Sequence, residues 1–364
     1  MRILLLSPYD ADSHRRWREG LVKALPGHDW TVRTLPPRHF SWRIRGNPLQ
    51  LARELEAAGN GGWERMVATS MTDLATLRGL VPSLATVPTL LYFHENQFAY
   101  PAGRAEPRLE PLMVTLYGAL AADRLVFNSR FNRDTFLDGV AGLLRRMPDA
   151  VPPDVVGRLA AKAVCLPVPL EDELFGQPTA PPSRFTIVWN HRWEYDKGPE
   201  RLAAAMLRLA EKGVDFTLHV LGQRFRQVPS ALTALRERLG ARIGQWGPVA
   251  DREAYRVLLR RSHVVLSTAL HDFQGLAVLE AVACGCRPLV PDRLAYPEWF
   301  EAPWRYASCP DDPEAEAEAL AARLAALAQQ HRQGILPPAP SVAHLAWEAL
   351  APRYGELIAM PAGG

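Results

Sequence analysis

The chain has 364 residues, of which 48% are hydrophobic, and its formal net charge is +3. That length exceeds the roughly 250–300 residues at which a single hydrophobic core usually divides, so two domains are expected. The hydrophobic fraction excludes a mainly disordered chain, and the small charge gives no argument for nucleic-acid binding by itself.

Strands and helices are predicted to alternate through the first half of the chain. Apolar runs predict strands at 2–8, 30–36, 66–70, 89–94, 124–129 and about 163–169. Helical spacing predicts helices between them at 13–25, 48–58, 72–80 and 109–122. A segment rich in proline, 177–183, is the predicted linker, so the first domain is predicted at 1–176.

The second half repeats the alternation, which sets the predicted fold class. Its predicted strands are 185–190, 216–222, 245–247, 263–268 and 287–291. This order is typical of parallel sheets with right-handed crossovers, so we predict an α/β protein with two Rossmann-like lobes facing each other. The second domain is predicted at 184–340, and an amphipathic segment lies in the remaining piece, 341–364.

Cysteine content and hydropathy restrict the compartment. Four cysteines are too few for a disulfide framework, and Cys284 and Cys286 have no partner pair or histidine cluster that would predict zinc. Arg2 leads directly into a predicted strand, and no apolar run approaches the ~20 residues that span a bilayer. We expect a cytoplasmic protein without disulfides, signal peptide or membrane contact.

Two carboxylates eight positions apart, Asp272 and Glu280, follow a predicted strand. Asp272 lies on a loop, and a helix predicted from Gly275 places Glu280 about two turns along it. Backbone N–H groups around Gln274, Gly275 and Leu276, with the helix dipole, would suit a diphosphate, and the carboxylates would accept hydrogen bonds from sugar hydroxyls. The spacing alone favours a solvated helix face.

Two cations, Arg192 and Lys197, follow the predicted strand 185–190 and precede a predicted helix at 199–213. Cations at the carboxyl end of a strand in an α/β sheet are placed to neutralise an anionic leaving group. An ordinary solvated loop is the alternative for this pair. Together with Asp272 and Glu280, the pair favours a nucleotide-sugar site.

The combination Arg192-x4-Lys197 and Asp272-x7-Glu280 resembles the retaining GT-B glycosyltransferases of the GT4 type, which usually have Glu at the first carboxylate. More specific strings narrow the resemblance: FHENQ at 93–97, VFNSRFN at 126–132, WNHRWEYDK at 189–197, EAVACGCRPL at 280–289 and YPE at 296–298. In this order they resemble the tRNA-queuosine α-mannosyltransferases, which transfer mannose from GDP-mannose to the cyclopentenediol of queuosine in tRNA. The resemblance extends from residue 3 to about 354, and one departure is Ala11-Asp12, where that family typically has two glycines.

The resemblance implies a GT-B fold, with two parallel-sheet lobes facing a central cleft and a C-terminal helix crossing back to the first lobe. It implies that Arg192 and Lys197 neutralise the diphosphate, that Glu280 binds the ribose, and that Asp272 binds the transferred sugar. It also implies retention of configuration. The nucleotide sugar, most simply GDP-mannose, is then a co-substrate and no cofactor is required.

In the first lobe, the resemblance places His94 near the donor sugar, whereas a capping or core histidine is the structural alternative. Ser13 and His14, at a predicted helix start, are candidates for donor or acceptor contact. Asp10 and Asp12 form an Asp-x-Asp pattern that binds metal in another glycosyltransferase fold. We nevertheless predict a metal-independent enzyme, because two anions facing a phosphate-binding loop would repel the donor.

Two basic segments of the first lobe, 14–18 and 38–45, contain aromatic residues and no acidic residue. Cations and stacking rings are what an anticodon loop needs, although a solvated arginine-rich face fits as well. Two other functions remain open: a GT4-type enzyme acting on a lipid or polysaccharide, and a non-catalytic RNA-binding GT-B protein. The sequence also leaves open GDP against UDP, the identity of the hexose, and the oligomeric state.

Overall fold

The computed structural model describes residues 1–59, 61–100, 109–176, 182–223 and 227–360. The chain divides into two compact units, of which unit 1 comprises Met1–Pro169 and Trp347–Gly364, and unit 2 comprises Leu170–Ala346. The first segment therefore ends at Pro169 where the sequence predicted 176, and the C-terminal piece begins at Trp347 where it predicted 341. Most of the predicted linker, residues 177–181, lies outside the described residues.

Unit 1 is built on a parallel sheet whose strands are β1 Arg2–Ser7, β2 Asp29–Thr34, β3 Arg65–Thr69, β4 Thr89–Phe93, β5 Arg124–Phe127 and β6 Ala163–Cys165. Their order across the sheet, within the described residues, is β2-β1-β3-β4-β5-β6. The middle strands are apolar on both faces because helices cover both sides, as parallel sheets require. Strand β2 lies on one side of β1 and β3 lies on the other, so the order reverses between β1 and β3. A ligand crevice is expected at the carboxyl ends of these two strands.

The helices that cover this sheet are α1 Asp12–Ala24, α2 Phe40–Ala57, α3 Leu74–Leu80, α4 Leu109–Ala121, α5 Arg130–Leu144 and α6 Val155–Ala161. A short 3₁₀ turn at Pro82–Leu84 precedes β4. The core of the unit joins alternate strand residues such as Leu4, Leu91 and Phe127 with helix residues such as Leu51 and Phe136.

Helix α2 begins eight residues before its predicted start. The predicted start is Pro48, and proline is favoured in the first turn of a helix. In the structure Pro48 lies inside the helix and cannot donate to the carbonyl of Ile44. The Asn47 side chain replaces that bond, since its Nδ2 donates to the carbonyls of Ile44 at 3.1 Å and Arg43 at 3.0 Å.

Unit 2 is built on a second parallel sheet with strands β7 Thr186–Asn190, β8 Thr217–Leu221, β9 Ile243–Trp246, β10 Val264–Leu266, β11 Arg287–Pro291 and β12 Arg305–Tyr306. In the described residues their order is β12-β11-β10-β7-β8-β9. This is the doubly wound order of dinucleotide-binding folds, with its switch point between β7 and β10. The two-residue β12 gave no periodic signal and was not predicted.

The helices of unit 2 are α7 Pro199–Glu211, α8 Ser230–Leu239, α9 Arg252–Arg260, α10 Leu276–Ala283, α11 Tyr296–Trp299 and α12 Pro313–Arg332. Single 3₁₀ turns occur at Asp172–Phe175, Tyr195–Lys197, Gly240–Arg242, Ala302–Trp304 and Ala343–Leu345. The core of this unit has its own members, among them Ile187, Trp189, Leu218, Leu266 and Leu320.

The last helix, α13 Trp347–Ala359, belongs to unit 1. It packs on α1, where the indole of Trp347 lies against Gly20 so closely that a β-carbon would overlap it. Tyr354 accepts a hydrogen bond from the Trp17 indole at 3.1 Å, and Arg65 donates to the carbonyl of Ile358 at 2.9 Å. Within the described ranges, none of the helices combines the length and apolarity needed to cross a membrane.

Candidate functional site

The two loops that carry the predicted cations and the first carboxylate follow adjacent strands at the switch point of the second sheet. Residues 191–198 follow β7, and 267–275 follow β10. Backbone groups join the loops, since Leu270 N donates to the Asp196 carbonyl at 2.8 Å and Thr268 Oγ1 donates to the Lys197 carbonyl at 2.8 Å. Gly198 has φ +65°, and a β-carbon there would overlap the Thr268 carbonyl, so this approach requires glycine.

Lys197 is buried between two carboxylates. Its Nζ lies 3.3 Å from Asp196 Oδ2 and 3.5 Å from Asp272 Oδ2, and it donates to the His271 carbonyl at 2.6 Å. Burial alone would raise the pKa of Asp272, but Lys197 and the neighbouring His191 outweigh it and hold that pKa below its usual value. Asp272 is therefore ionised at neutral pH and is in contact with Lys197.

Arg192 occupies a different environment from Lys197. Its side chain is 51% exposed and pairs with Glu194 at 3.0 Å. His191, which directly precedes Arg192, is buried, and its Nε2 has no hydrogen-bond partner in the described part of the chain. Burial and the charge of Lys197 lower the pKa of His191 to about 4, so this ring is neutral.

Helix α10 begins at Leu276, with Gly275 as its N-cap in the left-handed region at φ +78°. The N–H of Gly275 donates to Asp272 Oδ1 at 2.9 Å, so this amide is already hydrogen-bonded to the Asp272 carboxylate. Gln274 is buried, and a β-carbon at Gly275 would press on the ring of Tyr296.

Glu280 lies on α10, four residues after Leu276 and hence about one turn along the helix rather than the predicted two. The observed start lies one residue after the predicted start, Gly275, and five residues make only about one and a half turns, so the predicted number of turns was too high. Glu280 is buried, and its Oε2 accepts a hydrogen bond from the Tyr255 hydroxyl at 3.3 Å. Asn190 Nδ2 donates to that hydroxyl at 3.0 Å.

Asn190 and Tyr255 were not predicted to have a role in the site. Asn190 is a polar residue at the end of an apolar strand, which was a usable signal. Tyr255 lies on α9, and no local pattern marks it, since its contact with Glu280 spans 25 positions.

His94 directly follows β4 in unit 1 and is surrounded by rings. The His14 ring stacks on it with centroids 4.1 Å apart, and Trp17 and Tyr92 lie at 4.9 and 4.8 Å. Its Nε2 is buried without a hydrogen-bond partner among the described residues, whereas its carbonyl accepts from Asn128 at 2.8 Å. Burial and the neighbouring His14 lower the pKa of His94 well below its ordinary value, so the ring is neutral.

His14 carries the positive charge of this pair. Its Nδ1 faces the Tyr9 carbonyl at 2.9 Å and its Nε2 faces the Glu95 carboxylate at 3.2 Å. Because both partners are acceptors, both ring nitrogens donate, and the ring is an imidazolium. Burial acts to lower the pKa of His14, but Glu95 and the Tyr9 carbonyl outweigh it and raise that pKa. Neither nitrogen remains for the ligand contact that the sequence suggested.

The residues around Ser13 are engaged in arginine pairs. Ser13 lies half-buried in the first turn of α1. Asp10 accepts from Arg18 at 3.2 and 3.0 Å, and exposed Asp12 pairs with Arg15. Over the described ranges, no group of three or more His, Cys, Asp or Glu side chains is arranged to hold a metal ion.

The two basic segments differ in what they expose. Trp17, predicted as a stacking ring, is 1% exposed and stacks on Tyr92 instead, because α1 turns this face into the core. At the start of α2, Trp42 is 59% and Phe40 is 37% exposed. Arg43 is buried, whereas Arg38 and Arg45 are exposed beside the two rings. Arg45 also pairs with Asp73.

Known proteins match the chain along most of its length. Residues 2–170 match a family described as tRNA-queuosine α-mannosyltransferase N-terminal, and residues 184–327 match one described as glycosyl transferases group 1. A tRNA-queuosine α-mannosyltransferase of Drosophila melanogaster is 33% identical over 309 residues, which cover 82% of this chain and 81% of the relative.

Two further similarities concern the donor and the fold. A GDP-mannose-dependent α-(1-6)-phosphatidylinositol dimannoside mannosyltransferase of Mycobacterium tuberculosis is 32% identical over 142 residues, 39% of this chain and 36% of that protein. The sucrose-phosphate synthase structure from Thermosynechococcus elongatus superposes with a TM-score of 0.71 at 17% identity and covers 98% of each chain. The predicted GT-B fold class is confirmed, and the chain is a glycosyltransferase that belongs to the tRNA-queuosine α-mannosyltransferase family.

Proposed function

We propose that this enzyme transfers mannose from GDP-mannose to the cyclopentenediol of queuosine in tRNA, with retention of anomeric configuration. The acceptor is supported by the Drosophila relative, and the donor by the partial match to a GDP-mannose-dependent enzyme. The observation that carries the proposal is the contact of Lys197 with ionised Asp272 at the switch point of the second sheet, in a chain of this family.

The proposed chemistry concerns the bond between the hexose and the diphosphate. As this C–O bond breaks, negative charge accumulates on the diphosphate, and cations already in place lower the barrier. We assign that role to Lys197 and Arg192, with the N-terminus of α10 beyond Gly275 adding partial positive charge. The reaction so described uses no metal ion.

Other polar side chains are proposed to bind the ribose and the hexose of the donor. We assign Glu280 to the ribose and Asp272 to hydroxyls of the transferred hexose. Because His94 is neutral, its proposed role is hydrogen bonding to a sugar hydroxyl through Nε2. Ser13 remains a candidate for direct contact, whereas the proposed role of His14 is to support His94.

The proposed contact with tRNA is the start of α2, residues 38–45. Exposed Trp42 and Phe40 provide faces on which unpaired bases would stack, and Arg38 and Arg45 provide charges for phosphates. A tRNA acceptor would place the reaction in the cytoplasm. A lipid acceptor is the second candidate, because the Mycobacterium relative acts on a phosphatidylinositol mannoside and the same helix exposes Leu49.

Mass spectrometry of nucleosides from queuosine-containing tRNA, incubated with the full chain and GDP-mannose, tests the proposal. UDP-mannose, UDP-galactose and UDP-glucose are run in parallel, and the matched control is the same tRNA with guanosine in place of queuosine. A single reaction with EDTA tests the expected independence of metal.

A hexose added to queuosine from GDP-mannose only, and never to the guanosine control, is the expected result. Addition from a UDP-sugar would overturn the donor and keep the acceptor. Transfer to phosphatidylinositol vesicles without transfer to tRNA would support the lipid candidate instead.

A further inference from the structure

Three side chains from three elements form a hydrogen-bonded chain beside the switch point of unit 2. Asn190 is the last residue of β7, Tyr255 lies on α9, and Glu280 lies on α10. Asn190 and Glu280 are 6% and 7% exposed. These hydrogen bonds therefore connect the end of β7, just before Arg192, to the carboxylate of Glu280 that is proposed to bind the ribose.

The direction of each hydrogen bond follows from its partners. Asn190 Nδ2 lies 2.7 Å from the Ala277 carbonyl and 3.0 Å from the Tyr255 hydroxyl. The carbonyl can only accept, so the amide nitrogen of Asn190 must face it. The second amide hydrogen then points at the Tyr255 oxygen, and the single phenolic proton is directed to Glu280 Oε2 at 3.3 Å.

The remaining polar atom of Asn190 indicates that a ligand belongs nearby. Its Oδ1 is buried and has no hydrogen-bond partner in the part of the chain that the structure describes. Buried polar atoms in native proteins are ordinarily paired, and an exception calls for a specific explanation. A polar ligand at this strand end would provide one.

We infer that Tyr255, oriented by Asn190, is a positioning residue that holds the Glu280 carboxylate for the vicinal diol of a nucleoside diphosphate. A glutamate has three rotatable side-chain bonds, and immobilising such a side chain costs entropy that binding would otherwise have to supply. The hydrogen bond from Tyr255 fixes one oxygen before the nucleotide arrives. This inference rests on the proposed function, because it takes the ribose assignment of Glu280 as given.

Calorimetric titration of the full chain with GDP and with UDP tests the inference. Tyr255→Phe removes only the hydroxyl, and we expect it to weaken binding of the preferred nucleotide about 5- to 20-fold. Glu280→Gln is expected to weaken it more, by about 10- to 100-fold. Because Tyr255 acts through Glu280, the double variant should bind no more weakly than Glu280→Gln alone.

Kinetics separates positioning from a general effect on the fold. Tyr255→Phe should raise the KM for the sugar nucleotide by the same factor and leave kcat within about 2-fold, since the loss concerns binding that is equal in ground and transition states. Tyr117→Phe, at a tyrosine 53% exposed in unit 1, is the control and should match the wild type in every titration.

The outcomes separate this inference from the proposal beneath it. Unchanged nucleotide affinity in Glu280→Gln would reject the ribose assignment itself. Weakened binding in Glu280→Gln with wild-type binding in Tyr255→Phe would reject the positioning role alone. Losses that multiply in the double variant would also reject it, since Tyr255 would then act independently of Glu280.

Discussion

At the scale of single residues, the two cations predicted for one role differ in what surrounds them. Lys197 is 8% exposed and compensates Asp196 and Asp272, whereas Arg192 is half exposed and pairs only with Glu194 among the contacts described. Removing Lys197 leaves buried Asp196 and partly buried Asp272 without the cation that contacts both. Removing Arg192 exposes no buried charge, so Arg192 is the cleaner probe of the reaction.

Arg192→Ala should lower kcat/KM by about 10²- to 10³-fold and change the free energy of unfolding by less than about 0.5 kcal/mol. Lys197→Ala should lower the rate as much and also cost about 3–5 kcal/mol of stability, because it breaks a buried ion pair. Steady-state kinetics and urea unfolding measure the two effects. Arg238→Ala, at an exposed pair with Glu211, is the control, and full activity in Arg192→Ala would contradict its role.

The imidazolium of His14 predicts a pH-dependent contribution to stability. Its folded pKa is raised, so the contribution is complete below the unfolded pKa of about 6.5 and is lost as pH rises through the folded pKa. Glu95→Gln should therefore cost about 1–3 kcal/mol at pH 6 and less at pH 9, because the charge on the ring is lost as pH rises through the folded pKa. Urea unfolding at the two pH values is the measurement, with exposed Glu110→Gln as control. An equal cost at both would show that Glu95 does not charge His14.

At the scale of elements, apolar runs and helical spacing located most strands and helices, because burial on both faces marks a parallel strand directly in the sequence. Helix ends were harder to predict. Pro48 has the sequence signature of a helix start, but the helix runs through it, and the side chain of Asn47 donates to the Ile44 carbonyl that Pro48 leaves without its helical donor. Such compensation depends on a rotamer, which no local pattern specifies.

The start of α10 allows a test of how much the close packing at Gly275 contributes to stability. Gly275 and Gly213 both have positive φ, at +78° and +73°, but only Gly275 has a neighbour, Tyr296, where a β-carbon would be. Gly213→Ala should cost about 1–2 kcal/mol for the backbone alone. Gly275→Ala should cost about 1–3 kcal/mol more, because the ring must move.

Thermal unfolding of both glycine variants measures this difference, and nucleotide titration shows whether it reaches the site. Moving Tyr296 shifts its hydroxyl, which lies 2.7 Å from Ser267 Oγ in the loop that carries Asp272. We therefore expect weaker nucleotide binding in Gly275→Ala and unchanged binding in Gly213→Ala. Equal stability of the two variants would mean that the ring yields without cost.

At the scale of the whole molecule, contacts between distant residues could be predicted from the sequence only where the order of the strands determines them. Lys197 and Asp272 follow strands that adjoin at a switch point, so their contact follows from topology. The link from Tyr255 to Glu280 depends on how two helices pack, and the burial of Trp17 depends on which face of α1 turns inward. Neither is encoded by spacing within one element.

Because each unit has its own core, we predict that the buried hydroxyl of a tyrosine stabilises the unit to which it belongs. Tyr354 belongs to unit 1, where it bonds the Trp17 indole, although it lies ten positions from the end of the chain. Tyr306 belongs to unit 2, where its hydroxyl donates to the Ser267 carbonyl at 2.8 Å. Tyr306→Phe removes this bond and should cost about 1–3 kcal/mol within unit 2. Tyr354→Phe removes the bonds of its hydroxyl with Trp17, Tyr92 and the Pro167 carbonyl, and should cost at least as much within unit 1.

Hydrogen exchange followed by mass spectrometry locates that cost. Tyr354→Phe should speed exchange about 5- to 100-fold in the slowest peptides of β4 and β5, and Tyr306→Phe should do so in those of β7 and β10. Each variant serves as the control for the other, since the chemical change is the same. Faster exchange in both sets of strands from either substitution would mean that the units unfold together, and the C-terminal helix would then stabilise the molecule as a whole rather than its first unit.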